Sequence, residues 1–212
     1  MRIDYPKIKK ELAFLLENYA LVQRASVNQY RWATKREKDN TYAYTPRELD
    51  IHETLLEHVG MLPVLATYFH PYLEEDVDLG QTLTILAIHD IGELIDGDTN
   101  VFIKQTSQAD QENKIALNLL HDQYHDLYNE FELLKTNEAK FAKSVDKIAP
   151  DIFDVLTDTE VTIERLREYA ALEPNEIAST IENKKSPYMQ WSTFFSAFHA
   201  ELIEDLKQMF PG

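Results

Sequence analysis

A chain of 212 residues with 21 Lys and Arg against 37 Asp and Glu carries a formal charge of −16, and at roughly 150 residues per domain it has room for one ample domain. That acidity argues against a nucleic-acid or anionic-membrane binder, since both require clustered positive charge. With no cysteine and only five glycines, disulfides, thiolate metal sites, a cysteine nucleophile, Gly-rich phosphate loops and the Gly-x-Ser-x-Gly elbow all drop out.

Apolar residues recurring at three- and four-residue spacing predict helices nearly throughout, an all-α fold. The first seven residues lack the apolar core of a signal peptide, and no stretch approaches the ~20 apolar residues of a membrane span, so the expected location is cytoplasmic. In chain order, Ile8, Leu12, Leu15, Leu16, Tyr19 and Val22 make one amphipathic stripe over residues 8–24, and the polar run Thr34 to Tyr44 reads as a loop. Thr45-Pro46-Arg47-Glu48 carries a capping box with proline in the first turn, predicting a helix from there to about Phe69. Leu79 to Asp96 is apolar on most sides and is expected to be the buried central helix, closed by Gly97 in a left-handed cap. Further helices are expected around 109–133, 137–149 (stopped by Pro150), 159–170, 174–184 and 187–209, the last opened by Ser186-Pro187. The whole of 1–212 reads as a single domain, with a seam near 185 that introduces a C-terminal helix.

His-Asp occurs three times, at His89-Asp90, His121-Asp122 and His125-Asp126, so context must decide among them. At 89–90 the pair falls in the apolar helix, where an ionised Asp is costly to bury unless it is paired or bound to a cation. A metal satisfies that need, and so does an Arg or a helix N-terminus. His121 and His125 have the i, i+4 spacing that can clamp an ion, but they lie on a solvated face with no Glu between them. Glu93, on the same helical side as the pair, is sited to hold a water or to bind a surface Lys. Asp98 either reaches the site from beyond Gly97 or merely caps its turn. His58 sits among Leu55, Leu56, Val59 and Leu62, while His52 lies roughly 120° around a helix from it, which disfavours shared ligation. Asp146 falls among apolar residues, with Lys143 and Lys147 as ordinary salt-bridge partners.

A His on one helix, His-Asp on the next and a distant Asp on a later one is similar to the HD-domain metal-phosphohydrolase signature, matched by His58, His89-Asp90 and Asp146. Tyr30-Arg31-Trp32, Glu53-Thr54-Leu55-Leu56-Glu57-His58, the run from His89 to Asp98 and that from Glu138 to Lys147 resemble the HD-domain 5′-deoxynucleotidases, over roughly Tyr30 to Pro150. The resemblance implies an HD-like helical bundle, usually dimeric, with a motif-bearing core at 30–150; C-terminal helices over 159–209 are expected to pack on it. It also implies one divalent ion (Mn, Co, Mg, Zn or Fe) held by His58, His89, Asp90 and Asp146, and hydrolysis of a deoxynucleoside 5′-monophosphate. By the same carry-over Arg31 binds the phosphate or sugar side, Trp32 crowds the 2′ position, Glu93 orients the attacking water and Asp98 serves near the phosphate. Three departures stand out: a longer stretch between Trp32 and His58, Val59 after His58, and no resemblance after Pro150.

Such a ligand set suits phosphoryl transfer, which asks a protein mainly for position and charge. Arg31 supplies a forked cation that this acidic chain otherwise lacks, and a rigid Trp32 rejects a 2′-hydroxyl better than an apolar pocket does. Away from the motifs, Trp32 also reads as a core or hinge residue and Trp191 as a core or interface residue. Two alternatives share the sequence: an HD hydrolase for another nucleotide or small phosphate ester, with His52 and His70 as spare ligands, and a non-catalytic nucleotide-sensing module.

Overall fold

Residues 5–28, 34–36, 42–44, 52–97, 106–156, 163, 167 and 172–210 are described by the computed structural model. Helix α1 (Tyr5–Leu21) follows the first amphipathic stripe, and its end leads into strand β1 (Gln23–Asn28). β1 pairs antiparallel with β4 (His52–Thr54), and the Leu55 N–H donates to the Val22 carbonyl at 3.0 Å. That ribbon ties the end of α1 to the start of α2 (Leu55–Phe69). A second ribbon joins β2 (Thr34–Arg36) to β3 (Tyr42–Tyr44). The frame is all-α, and these two small ribbons are its only sheets among the described residues.

The loop expected at 34–44 therefore contains a paired ribbon. The helix expected to be capped by Thr45 starts nine residues later, because Thr54 is its cap: the Thr54 hydroxyl accepts from the Glu57 N–H at 3.2 Å, and Glu57 accepts from the Thr54 N–H at 2.8 Å. Two capping boxes compete in the sequence, and strand pairing at 52–54 excludes the earlier one as the start of a continuous helix. Thr45 and Glu48 themselves lie outside the described residues.

The expected central helix is broken. α3 (Leu79–Ile88) gives way to a turn at 89–92 before the short α4 (Glu93–Asp96). Asp and Gly are poor interior helix residues, and here Asp90 and Gly92 sit in three-residue turns, with the Glu93 N–H donating to the Asp90 carbonyl at 3.0 Å. Gly92 is required sterically, since a Cβ there would lie 2.4 Å from the Glu112 carbonyl oxygen of α5 (Thr106–Leu119). Gly97 has φ +81°, as expected of a glycine stop, but with ψ 169° it is extended beyond the cap rather than left-handed helical.

The helix expected over 109–133 is two, α5 and α6 (His125–Glu132), separated by a short 3-10 turn. α7 (Asn137–Leu156) runs through Pro150. Proline removes one hydrogen bond but need not end a helix held by packing, and Ile148, Ala149 and Phe153 are buried on either side of it. Similarly, Pro187 lies inside α8 (Pro174–Met189), and the last helix, α9 (Thr193–Met209), opens at Ser192, whose hydroxyl accepts from the Phe195 N–H at 3.4 Å. Most of the helix expected over 159–170 lies outside the described residues.

Three apolar clusters organise the bundle. The largest joins α2, α3, α7 and α9 through residues such as Leu62, Ile85, Phe141 and Phe195. A second, around Ile181 and Ile203, seals α8 against α9. The third gathers Leu55, Ile91, Leu94, Ala116 and Tyr128, with Leu15 and Tyr19 of α1 packed on it. His58 lies on α2, which contributes to the first and third clusters; the turn at 89–92 contributes Ile91 to the third, and α7, which carries Asp146, contributes to the first.

Candidate metal centre

Three separate elements deliver the candidate ligands: His58 from the first turns of α2, His89 and Asp90 from the α3–α4 turn, and Asp146 from the middle of α7. The structure brings all four together. His58 Nε2 lies 3.3 Å from Asp146 Oδ1 and 3.5 Å from Asp90 Oδ2, while His89 Nε2 lies 3.1 Å from Asp90 Oδ1 and 3.6 Å from Asp146 Oδ1. The two imidazole centroids are 5.8 Å apart, and the donor atoms of His58, His89 and Asp146 all fall within 4.8 Å of one another. His58, His89 and Asp146 are buried.

Hydrogen bonding decides what this cluster can take. His89 Nδ1 is 2.9 Å from the Leu86 carbonyl oxygen, which only accepts, so Nδ1 carries the proton and Nε2 faces the carboxylates. That Nε2 is buried without a hydrogen-bond partner. A neutral ring would aim its lone pair at two anionic oxygens, an arrangement that calls for a cation or a second proton. In the metal-free protein the proton wins: burial opposes the charged ring, but Asp90 and Asp146 outweigh it and push His89 up to about 10. Burial likewise opposes an ionised Asp146, yet Lys147 and the two imidazoles hold its carboxyl well below the usual range. Two neutral imidazoles and two carboxylates are a suitable donor set for a divalent transition metal. The residues fit such an ion.

The surroundings are specific. Lys147 Nζ grips Asp146 Oδ2 at 2.9 Å, leaving Oδ1 towards the histidines. The Phe131 ring meets His89 edge-on at 5.5 Å, and Lys143 Nζ stands 4.2 Å over the centroid of the same ring. Glu93 is buried at the start of α4. Tyr19 of α1, half-buried, has its hydroxyl pKa raised by burial and then by Asp90 and Glu93. The proximity of Tyr19 and the packing of Phe131 against both Lys143 and His89 escaped the sequence reading, since Tyr19 and Phe131 carry only apolar periodicity there.

Other expected candidates fall elsewhere. His70 Nε2 is 3.1 Å from the Val77 carbonyl oxygen and His125 Nε2 is 3.2 Å from that of Leu120, so both are spent on backbone. His121 Nδ1 accepts from the Gln123 N–H at 3.4 Å, capping a turn. His52 lies in β4. Arg31, Trp32 and Asp98 lie outside the described residues.

A family model described as an HD domain matches residues 35–185. The chain belongs to the HD-domain family. The match extends beyond Pro150, where the sequence alone showed no resemblance. Solved structures share the HD chain's fold. A predicted metal-dependent phosphohydrolase from Magnetospirillum magnetotacticum MS-1 is 20% identical, with 98% of this chain and 97% of that one covered at a TM-score of 0.68. A conserved hypothetical protein from Pyrococcus furiosus is 18% identical over 94% of this chain and 99% of its own, at 0.58. A Pyrococcus horikoshii OT3 protein is 13% identical over 95% and 99%, also at 0.58. No curated protein matches the chain.

Proposed function

We propose that this HD-domain protein is a phosphomonoesterase that hydrolyses deoxynucleoside 5′-monophosphates to deoxynucleoside and phosphate. The observation that carries the reading is the convergence of His58, His89, Asp90 and Asp146, with the buried His89 Nε2 turned towards carboxylates and lacking a hydrogen bond. A divalent ion held by those four would polarise a phosphate ester and lower the pKa of water near it.

The chain's own groups do the rest. Leu86 fixes the His89 tautomer through Nδ1, and Lys147 fixes the rotation of the Asp146 carboxylate. Glu93, buried one turn beyond Asp90, is the carboxylate we assign to orienting the attacking water. Arg31 is assigned to the phosphate or sugar, Trp32 to rejecting a 2′-hydroxyl and Asp98 to the vicinity of the reacting phosphate. The name of the Magnetospirillum relative supports the reaction class; the resemblance of the Arg31-Trp32 and His89–Asp98 runs to the deoxynucleotidases supports the substrate.

We further propose a homodimer. Leu56, Val64, Tyr68 and Tyr72, spaced eight, four and four residues apart along α2 and the turn that follows it, are exposed, an apolar row of the kind that favours covering.

A phosphate-release panel of deoxy- and ribonucleoside monophosphates with Mn, Co, Mg and Zn tests the reading. Turnover should need the metal, favour the deoxynucleotides, and fall at least ~100-fold in Glu93→Ala, by the usual size of general acid-base contributions. Equal rates on ribonucleotides remove the role of Trp32; full turnover in Glu93→Ala removes that of Glu93.

A further inference from the structure

The centre is richly anionic, with Asp90, Glu93 and Asp146 all beside it, and the chain as a whole carries −16. A phosphomonoester brings nearly two further negative charges at neutral pH. A seat for it needs a cation whose charge is not already taken by a carboxylate.

Two ammonium groups stand by the centre among the described residues, both on α7. Lys147 is bonded to Asp146 Oδ2 at 2.9 Å and serves that ligand. Lys143 is different. It lies three residues before Asp146, on the same side of the helix, and among the described residues its Nζ makes no hydrogen bond or ion pair. Instead it rests 4.2 Å over the Phe131 ring, which also packs edge-on against His89. A cation–π contact holds an ammonium in place without neutralising it. Phe131, only 1% exposed, is a rigid floor for that purpose.

We propose that Lys143 is the anion seat of this centre, its Nζ receiving the phosphate of the substrate beside the His58, His89, Asp90 and Asp146 cluster. This rests on the phosphomonoesterase reading for its substrate, though not for its test. Burial and the neighbouring Lys147 hold the Lys143 ammonium below its ordinary value, against the pull of Asp146, Glu132 and Asp90; an arriving anion favours the charged form and offsets that shift.

The experiment is calorimetric titration of inorganic phosphate into the Mn-loaded protein, with wild type, Lys143→Met and Lys143→Arg, and metal content measured on each. Phosphate should bind wild type, bind Lys143→Met at least about tenfold more weakly, as loss of a charged hydrogen bond requires, and bind Lys143→Arg within a few-fold of wild type, all at equal metal content. Unchanged phosphate affinity in Lys143→Met overturns the proposal, as does wild type that takes up metal but no phosphate. Loss of metal from Lys143→Met and Lys143→Arg alike overturns it too, since it makes Lys143 a support of the ligands. Phosphate binding that depends on Lys143 in a protein that hydrolyses no phosphomonoester keeps the seat and sinks the phosphomonoesterase reading.

Discussion

His89 shows how one side chain becomes committed to a task by its neighbours. The Leu86 carbonyl takes one ring nitrogen, and two carboxylates face the other. Its pKa, pushed up to about 10 in the folded metal-free protein, exceeds the unfolded value of ~6.5. The folded state therefore binds the extra proton. The resulting stability is fully present below about pH 6.5 and is lost as pH rises through about 10. In chemical denaturation of metal-free protein at pH 6, 8 and 10, the advantage of wild type over His89→Gln should shrink at each step. A gap that does not change with pH would refute this. An incoming divalent ion competes with the same proton, so its affinity should rise with pH, and calorimetry in buffers of different ionisation enthalpy should show protons released.

Among the elements, the α3–α4 turn determines whether the centre forms. It puts His89 and Asp90 at the end of one helix and Glu93 at the start of the next, and it does so pressed against α5. A methyl group at position 92 would meet the Glu112 carbonyl oxygen at 2.4 Å, and this is backbone that cannot swing aside. Gly92→Ala should cost roughly 1–3 kcal/mol, the usual range for overpacking, read as a lowered denaturation midpoint. Because the displaced backbone carries two ligands, metal affinity should fall as well; a variant with native stability and native metal content would show that the turn has slack. The turn also explains why a helix reading of Leu79–Asp96 still grouped His89, Asp90 and Glu93 correctly. Three-residue turns preserve the same-side placement of residues three apart even though the α-helix has ended.

For the molecule as a whole, the centre is a cross-link. It fastens the α3–α4 turn to α2 and α7, two of the elements that pack the largest core. A ligand that binds only the folded state raises apparent stability by mass action. Chelation should therefore lower the melting temperature, and Mn or Co should restore it in wild type but not in Asp146→Asn; an unresponsive wild type would mean that no ion bridges these helices. The exposed row on α2 makes a separate prediction. Val64→Glu should convert a dimer to a monomer in sedimentation analysis, and a wild type that sediments as a monomer would dispose of the dimer. Among the described residues no helix is long and apolar enough to cross a membrane.

Helical periodicity, the ligand types at 58, 89–90 and 146, and the exclusion of thiol and Gly-loop chemistry were legible in the sequence, because helix pattern and side-chain identity are local properties. Where helices stop was less so. Thr45 against Thr54, Pro150 and Pro187 each present a local signal, and the outcome depends on strand pairing or on packing energy that distant residues supply. The roles of the lysines were undecidable from spacing: Lys143, three residues before Asp146, and Lys147, next to it, both read as ordinary salt-bridge partners, and only the tertiary packing separates a carboxylate clamp from an ammonium seated on Phe131. Residue identity fixes what chemistry is available; which groups meet, and which charge is left unpaired, is settled when three helices are brought to one point by the cores on either side.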